Sequence, residues 1–500
     1  MKRTRQFLLC IIIILCFAIV FFTGLQLYIK LAAAAIYIGI VFSICYVLML
    51  ENRSPYKTLL WIYAILFLPV IGYIFFIYSG QLEVKGHLFE QKRSHDSEQI
   101  ERMHHTNSPS EKWNLLNESQ QEFSQMITSF SGQTISFFSS TEILKNGDEK
   151  FRRLIDELKT AEDFIHMEYY IFRADTIGNE LISVLSEKAE NGVEVRFIFD
   201  GIGSLKLSDK AIMQMKKSGV EVYSFLPIQK GFFNQKLNFR NHRKIVVIDG
   251  RIGFTGGLNV GDEYLGRNPY FGFWRDTHMI VKGEALRDLH RIFLLDWNYV
   301  SEQSLFNERY LSVQPAEEDG GVQVVPSGPD TSQGVMSYLY YSMITTAKKS
   351  IWIVTPYFIP SKEIRTALLI AAVKGIDVRL IVPETNDGFL TQYATRSYFS
   401  ELLRYGVKVY LYQKGFHHQK TIIIDGSFAT LGTANVDLRS FHLNFEVNLF
   451  MFQTATIESL ANHYLEDIED SIEINKETHF KRNLLLRTKE SFARLFSPVL

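Results

Sequence analysis

Residues 241–259, NHRKIVVIDGRIGFTGGLN, recur in altered form at 417–435 as HHQKTIIIDGSFATLGTAN. His242, Lys244, Asp249, Gly256 and Asn259 of the first segment match His418, Lys420, Asp425, Gly432 and Asn435 of the second at identical spacing. The likeness extends upstream. AEDFIHMEYYIF (161–172) matches AKKSIWIVTPYF (347–358), GVEVRFIFD (192–200) matches GIDVRLIVP (375–383), and GVEVYSF (219–225) matches GVKVYLY (406–412), in the same order. Self-similarity of so long a period means a duplicated domain, not a solenoid.

Each copy alternates strand and helix. FIHMEYYIF is aromatic and β-branched, hence a strand. NELISVLSEKAEN has helical spacing and is followed by Gly192, VEVRFIF is a strand, KAIMQMKKSG a short helix, and VEVYSF a strand. That order predicts a mainly parallel sheet carrying helices. The expected fold class is α/β: two pseudo-symmetric βαβ-rich halves sharing one cleft, preceded by N-terminal transmembrane helices. The expected boundaries are a membrane anchor over 1–80, a polar linker over 81–135, a first half over 136–315 and a second over 316–500.

The anchor rests on three uncharged apolar runs, 7–28, 31–50 and 58–79, each long enough to cross ~30 Å of hydrocarbon. A signal peptide after KRTR is the alternative for the first run, and the two further runs argue against it. Pro69 and Gly72 predict a kinked or shallow third segment. Lys2, Arg3 and Arg5 favour a cytoplasmic N-terminus, but three full crossings would then leave the large domain outside. A first run starting outside, a run that does not cross fully, and an external domain all stay open. All three cysteines, Cys10, Cys16 and Cys45, lie in this region, which leaves none for a disulfide framework or a cysteine zinc site elsewhere. With 53 basic and 54 acidic residues the chain lacks the basic surplus of a nucleic-acid binder.

In a strand, side chains two apart share a face, so His242 and Lys244, and likewise His418 and Lys420, are expected to point the same way. Asp249–Gly250 and Asp425–Gly426 end these strands in turns and are expected to fix hairpins. Small residues in GGLN and GTAN allow close approach of backbone to a ligand, and Asn259 and Asn435 add donors. Two Lys, two Asn and backbone N–H groups make a cage for a phosphate. One His can attack phosphorus while the other protonates the departing alcohol and deprotonates the incoming one. Such a site needs no metal and no cofactor, because the lysines supply the charge. Glu446, 28 residues after His418, and Asp276, 34 residues after His242, are expected to orient the imidazoles. His417, one position off the pattern, is expected to face away. His166 and Glu168 read as a satisfied core pair, and Tyr169, Tyr170, Tyr357 and Phe358 as core or cleft wall.

The repeated HxKxxxxD with following G and N resembles the duplicated HKD motif of the phospholipase D superfamily. With RNHRKIVVIDG, GGLNVGDEYLG, FWRDTH, SGPD (327–330), TPYFIP, GTANVDLRSFHLNFEVN and an apolar N-terminus containing PVIGYIFFIYSG, the sequence is similar to bacterial cardiolipin synthases over roughly residues 50–500. The resemblance implies transfer of a phosphatidyl group from one phosphatidylglycerol to another, giving cardiolipin and glycerol, in a multi-pass protein of the cell membrane. It implies catalytic roles for His242, Lys244, Asp249, His418, Lys420 and Asp425, phosphate-binding or supporting roles for Asn259, Asn435, Glu446 and Asp276, His242 as nucleophile and His418 as acid and base. A hydrolase, or a transferase using another alcohol, is the alternative on the same site; a nuclease and an inactive membrane scaffold fit less well.

Overall fold

The computed structural model describes residues 2–22, 24–50, 55–76, 88–102, 107–108, 110–227, 236–317, 319–331 and 334–497. The chain divides into two compact units, Met1–His87 with Gln229–Asn238, and Leu88–Ile228 with Phe239–Leu500.

In the smaller unit the first apolar run forms the helix Lys2–Phe22 and the second forms Leu27–Leu50. The third is interrupted at Leu68, which separates Pro55–Phe67 from Pro69–Phe75. Pro69 has no N–H to continue the helix, and a Cβ at Gly72 would lie 2.2 Å from the Ala64 carbonyl oxygen, so the chain packs tightly at the break. Residues 77–79 of that run, and 81–87 and 103–106 of the expected linker, lie outside the described residues. Among the described residues only Leu27–Leu50 is long and apolar enough to cross a bilayer; Leu8–Phe22 and Thr58–Phe67 are shorter apolar stretches. Where the sequence predicts two or three spans, one is met in full among the described residues.

The larger unit holds both repeats. In the first, the strands are β1 Ser139–Lys145, β2 Phe164–Tyr169, β3 Glu194–Asp200, β4 Glu221–Phe225, β5 Arg240–Asn241, β6 Ile245–Ile248, β7 Ile252–Gly256, β8 Phe273–Arg275 and β9 Thr277–Gly283. Seven of them form a sheet in the order β1-β9-β7-β6-β2-β3-β4. The second repeat contributes β10 Gly321–Ser327, β11 Ser350–Val354, β12 Phe358–Ile359, β13 Asp377–Pro383, β14 Lys408–Tyr412, β15 Gly415–His417, β16 Thr421–Ile424, β17 Phe428–Gly432, β18 Val436–Asp437, β19 Asn444–Phe452 and β20 Ser471–Glu473. Its sheet runs β10-β19-β17-β16-β11-β13-β14-β20. The two orders correspond strand for strand apart from β20.

These sheets are mixed, which corrects the mainly parallel expectation. Along these two paths only β2-β3-β4 and β11-β13-β14 run parallel. The repeated motif is itself an antiparallel hairpin, β6–β7 or β16–β17, and it joins β2 or β11 antiparallel. The reason is local. Asp249 and Gly250 have φ of 52° and 59°, Asp425 and Gly426 of 53° and 70°. Two consecutive left-handed residues make the tight hairpin turn whose twist matches the strands. Every residue of β2, β6 and β7 is buried, as in a sheet covered on both faces.

The expected linker is instead partly structural. The helix Glu118–Ser131 starts in a capping box between Asn117 and Gln120 and ends at Gly132. It buries Phe123 and Ile127 in the core of the second repeat. The helix Glu284–Ser301 touches strands of both sheets, including β9 and β10.

Two short strands cross between the repeats. β5 pairs parallel with the start of β19, and β15 pairs parallel with β8. Each lies immediately before a motif histidine, so each repeat hands that segment to the other.

Candidate active site

The exchange decides which carboxylate meets which histidine. Arg240 and Asn241 register against Asn444 and Phe445, and the His242 N–H donates to the Phe445 carbonyl at 2.9 Å. The next residue on that strand is Glu446, whose Oε2 accepts from His242 Nδ1 at 2.8 Å. In the other repeat, His417 registers against Arg275 and the His418 N–H donates to the Arg275 carbonyl at 2.7 Å. Asp276 follows, and its Oδ2 accepts from His418 Nδ1 at 2.7 Å. Each imidazole is thus oriented by the repeat that did not supply it. With the Nδ1 proton held by a carboxylate, Nε2 is left as the free nitrogen. His242 and His418 both line one cavity of about 520 Å³.

His242 and Lys244 precede β6 instead of lying within it, as do His418 and Lys420 before β16. Each lysine curls back on its own histidine: Lys244 Nζ donates to the His242 carbonyl at 2.6 Å, and Lys420 Nζ to the His418 carbonyl. Burial pushes Lys244 down to about 7, with Lys420 adding to the fall, and pushes Lys420 down to about 8. Burial, then Lys420, lowers His418 to about 3; burial also lowers His242, against the opposing pull of Glu446. Burial thus favours the neutral form of both imidazoles. Burial favours protonation of Glu446 and Asp276, but for Glu446 the contact and hydrogen bond with His242, together with Lys244, outweigh it, and for Asp276 Lys420 and His418 do. A phosphodiester would supply the anion that the two buried ammonium groups lack.

Asn259 and Asn435 both line the cavity. Asn259 Oδ1 accepts from the Ile171 N–H at 3.1 Å, which ties the wall of the cleft to the motif. Asn435 Nδ2 donates to Asp437 at 3.0 Å, while its buried Oδ1 has no partner among the described residues. The motif glycines serve packing more than ligand approach. A Cβ at Gly256 would meet the His278 Cα at 2.7 Å, and one at Gly432 the Val447 carbonyl at 2.3 Å.

Asp249 and Asp425 stand apart from the cavity, at the far ends of β6 and β16. The Asp249 carboxylate accepts from the N–H groups of Glu162, Asp163 and Phe164 at 2.8–2.9 Å. Asp425 accepts from Lys348, Lys349 and Ser350 at 2.7–2.9 Å. They fasten the hairpin to the entry of β2 or β11, as the turn reading expects.

His417 turns away and bonds Asp467, which also accepts from Arg275 Nε at 2.8 Å. His166 pairs with His290 at 2.7 Å and accepts from Arg196, not with Glu168, which takes the Asn241 amide instead. Tyr170 and Tyr357 form cleft wall, while Tyr169 and Phe358 are buried in the core. The Tyr170 ring lies 4.9 Å from His242, and Trp274 5.2 Å from His418.

One layer escapes the motif. Arg243, between His242 and Lys244, points to the opposite side. Its Nε donates to the Glu446 carbonyl at 3.1 Å, its other nitrogens to Asp296 and to the Ser327 carbonyl. Buried Lys92 bridges Asp296, Asp330 and Asp96 at 3.2, 2.9 and 2.6 Å. The alternation of side chains in HRK was the signal for Arg243, and SGPD, which supplies Ser327 and Asp330, the signal for its support. Nothing in the sequence around Lys92 marks it.

The family model described as "Cardiolipin synthase, PLD-like domain" matches residues 154–297 and 340–468, one segment in each repeat. The chain is 49% identical to the probable cardiolipin synthase YwiE of Bacillus subtilis (strain 168), over 100% of this chain and 99% of that protein. It is 46% identical to a cardiolipin synthase of Halalkalibacterium halodurans, over 93% of this chain and 92% of that one. Among solved structures, the phosphatidylserine synthase of Haemophilus influenzae Rd KW20 superposes with a TM-score of 0.57 at 15% identity, covering 77% of this chain and 100% of that one, a likeness of fold alone.

Proposed function

The chain belongs to the cardiolipin synthase family of phospholipase D-like proteins, and from that premise we propose that it joins two phosphatidylglycerol molecules into cardiolipin and glycerol through a phosphohistidine. One observation carries the reading: two imidazoles, each held at Nδ1 by a carboxylate of the opposite repeat, line one cavity.

In the first step His242 Nε2 attacks the phosphorus of the donor lipid. The P–O bond to the glycerol head group breaks, and His418, carrying a proton on Nε2, gives it to the leaving oxygen. His418 gains that proton as the phosphodiester binds, because the anion offsets the field of Lys244 and Lys420 that holds its affinity down. In the second step neutral His418 removes the proton from a glycerol hydroxyl of the acceptor lipid. That oxygen attacks phosphorus, the P–N bond breaks, and His242 is restored. Lys244, Lys420 and Asn435 face the charge that builds on the phosphoryl oxygens. Water competes with the acceptor, and Trp274, Phe271 and Tyr264 line the cavity with apolar surface on which a lipid head group displaces it.

Membrane attachment is read from Leu27–Leu50, with Leu8–Phe22 and Thr58–Phe67 as further inserted segments of a multi-pass protein of the cell membrane. The test is incubation of the purified protein with phosphatidylglycerol in mixed micelles, following lipids and glycerol together, with His242→Ala beside it. Equal amounts of cardiolipin and glycerol, absent in the variant, and an acid-labile phosphoryl adduct trapped on His242, are the expected result. Phosphatidic acid and glycerol without cardiolipin would instead make the chain a hydrolase.

A further inference from the structure

The C-terminal helix Leu484–Arg494 is inside out for a soluble surface. It begins at Asn483, whose side chain accepts from the Leu486 N–H at 2.8 Å. Toward the protein it buries Ala493 and Glu490, the latter paired with Arg482 at 2.7 Å. Toward solvent it presents Leu484, Leu485 and Phe492, at 76, 65 and 55% exposure, and just past its end Leu495 at 75%. At 100° per residue these four and Thr488 fall within roughly a third of the helix circumference, a continuous stripe. A helix that folded only to cover its own core would point these side chains inward.

Beside the stripe lies a second cavity, of about 400 Å³, lined by Arg404, Arg482, Arg487, Arg494, Ser400 and Ser491. Arg482 is committed to Glu490 and to the Ser400 hydroxyl at 2.9 Å. Arg404, Arg487 and Arg494 have no carboxylate partner among the described residues; Arg494 lies over the Tyr398 ring at 4.5 Å. From 476 to 494 there are six Lys and Arg and two Glu. Guanidinium groups with free donors beside serine hydroxyls suit a phosphodiester, and apolar residues beside such a site suit what a phosphodiester lipid carries.

The face also leads to the active site. The helix Phe389–Arg396 packs against Leu484–Arg494, with Lys489 Nζ over the Tyr393 ring at 5.6 Å. Gly388 and Thr391, at the start of that helix, line the catalytic cavity, and Phe389 between them is 58% exposed.

We propose that the helix Leu484–Arg494 and its arginine-lined cavity form a docking surface for an anionic bilayer. Leu484, Leu485, Phe492 and Leu495 enter the acyl boundary, and the phosphate of an anionic phospholipid sits among Arg404, Arg487 and Arg494. Charge complementarity selects this occupant: a second copy of the chain would bring arginines against arginines. The surface holds lipid beside the mouth of the catalytic cleft. Docking itself does not depend on the reaction proposed above; only its benefit to turnover does.

Hydrogen exchange of the full chain in nanodiscs tests it. Peptides spanning 484–496 are expected to be protected in phosphatidylglycerol discs relative to phosphatidylcholine discs. Leu485→Glu with Phe492→Glu, and separately Arg487→Glu, should remove that difference. The same variants should lower turnover of long-chain phosphatidylglycerol at limiting surface fraction roughly tenfold, the order expected for removing a basic or apolar membrane contact, and leave turnover of monomeric dihexanoyl phosphatidylglycerol unchanged. Equal exchange in both discs overturns the proposal. So does protection that follows protein concentration and not lipid charge, which assigns the stripe to a second copy, or an equal loss on both substrates, which makes the helix a support of the cleft. If the chain makes no cardiolipin, the exchange comparison still reads the docking.

Discussion

Glu446→Gln tests the exchanged pairing most directly. Glu446 has two separate obligations: Oε1 accepts from Asn444 Nδ2 at 3.1 Å, and Oε2 accepts from His242 Nδ1 at 2.8 Å. Glutamine keeps the shape but has one oxygen. If that oxygen stays on Asn444, the amide N–H₂ faces His242 Nδ1 and drives the proton to Nε2, where the attacking lone pair should be. Loss of one charge-assisted bond is worth about 1.5–3 kcal/mol, or roughly 10- to 150-fold in rate; fixing the wrong tautomer carries the loss toward ~10⁴. Asp276→Asn works on the other histidine. Its Oδ1 accepts from the Thr277 N–H at 2.7 Å, so the same logic turns its amide toward His418. His418 then keeps a proton on Nε2 but cannot become a charged acid. A substrate with a p-nitrophenolate leaving group, which needs no acid, separates the two. Its first-step burst should survive in Asp276→Asn and His418→Ala, and be lost in Glu446→Gln and His242→Ala. If Glu446→Gln groups with His418→Ala instead, orientation across the repeats is not how the site works.

Further expectations follow from the same geometry. In the free protein Lys244 and Lys420 lose their protons near about 7 and about 8, so the ammonium charge is present below that window and lost as pH rises through it. kcat/KM should fall on the alkaline side while kcat falls later, because bound phosphodiester raises both lysines; a pH profile of each constant checks this. Asp249→Ala removes the acceptor of three backbone N–H groups and places Ala at a φ of 52°. It should cost about 2–4 kcal/mol of stability, seen as a lower Tm, with turnover near normal well below that Tm. Lys92→Met strands Asp296 and Asp330 without their cation and should cost about 3–5 kcal/mol; adding Asp330→Asn should restore part of the Tm.

The motif residues were legible because the chemistry is local. His, Lys and Asn recur at spacings that a single hairpin fixes, and the Asp-Gly turn is written in two adjacent letters. Asp249 and Asp425 were legible as turn residues by the same route, and only the family resemblance placed them among catalytic groups. The partner of each histidine was not legible. Glu446 and Asp276 could be named from their motifs, but which imidazole each meets depends on β5 and β15 crossing to the other sheet. Those strands are two and three residues long, too short for any periodicity. The sheet was read as mainly parallel because βαβ patterning shows only the parallel part, while the motif hairpin adds its antiparallel strands beside β2 or β11. The break in the third apolar run was legible from Pro69 and Gly72, and it falls at Leu68; how many runs cross a bilayer is not set by apolar composition alone. The stripe on Leu484–Arg494 passed unnoticed because its apolar spacing looks like that of any helix facing a core; only exposure reveals that it faces out.

The crossing strands also set an order of events. His242 is made 204 residues before Glu446, the carboxylate that arms it, an interval of roughly 10–40 s at typical rates of synthesis. For that time a nascent chain, already threaded toward lipid by its first helices, carries a disarmed imidazole. On the proposed mechanism it takes no phosphatidyl group from the membrane around it until the second repeat has emerged and folded against the first. Duplication would then supply a delay as well as a second histidine: the bilayer would meet an armed His242 only when the other half of the site is in place.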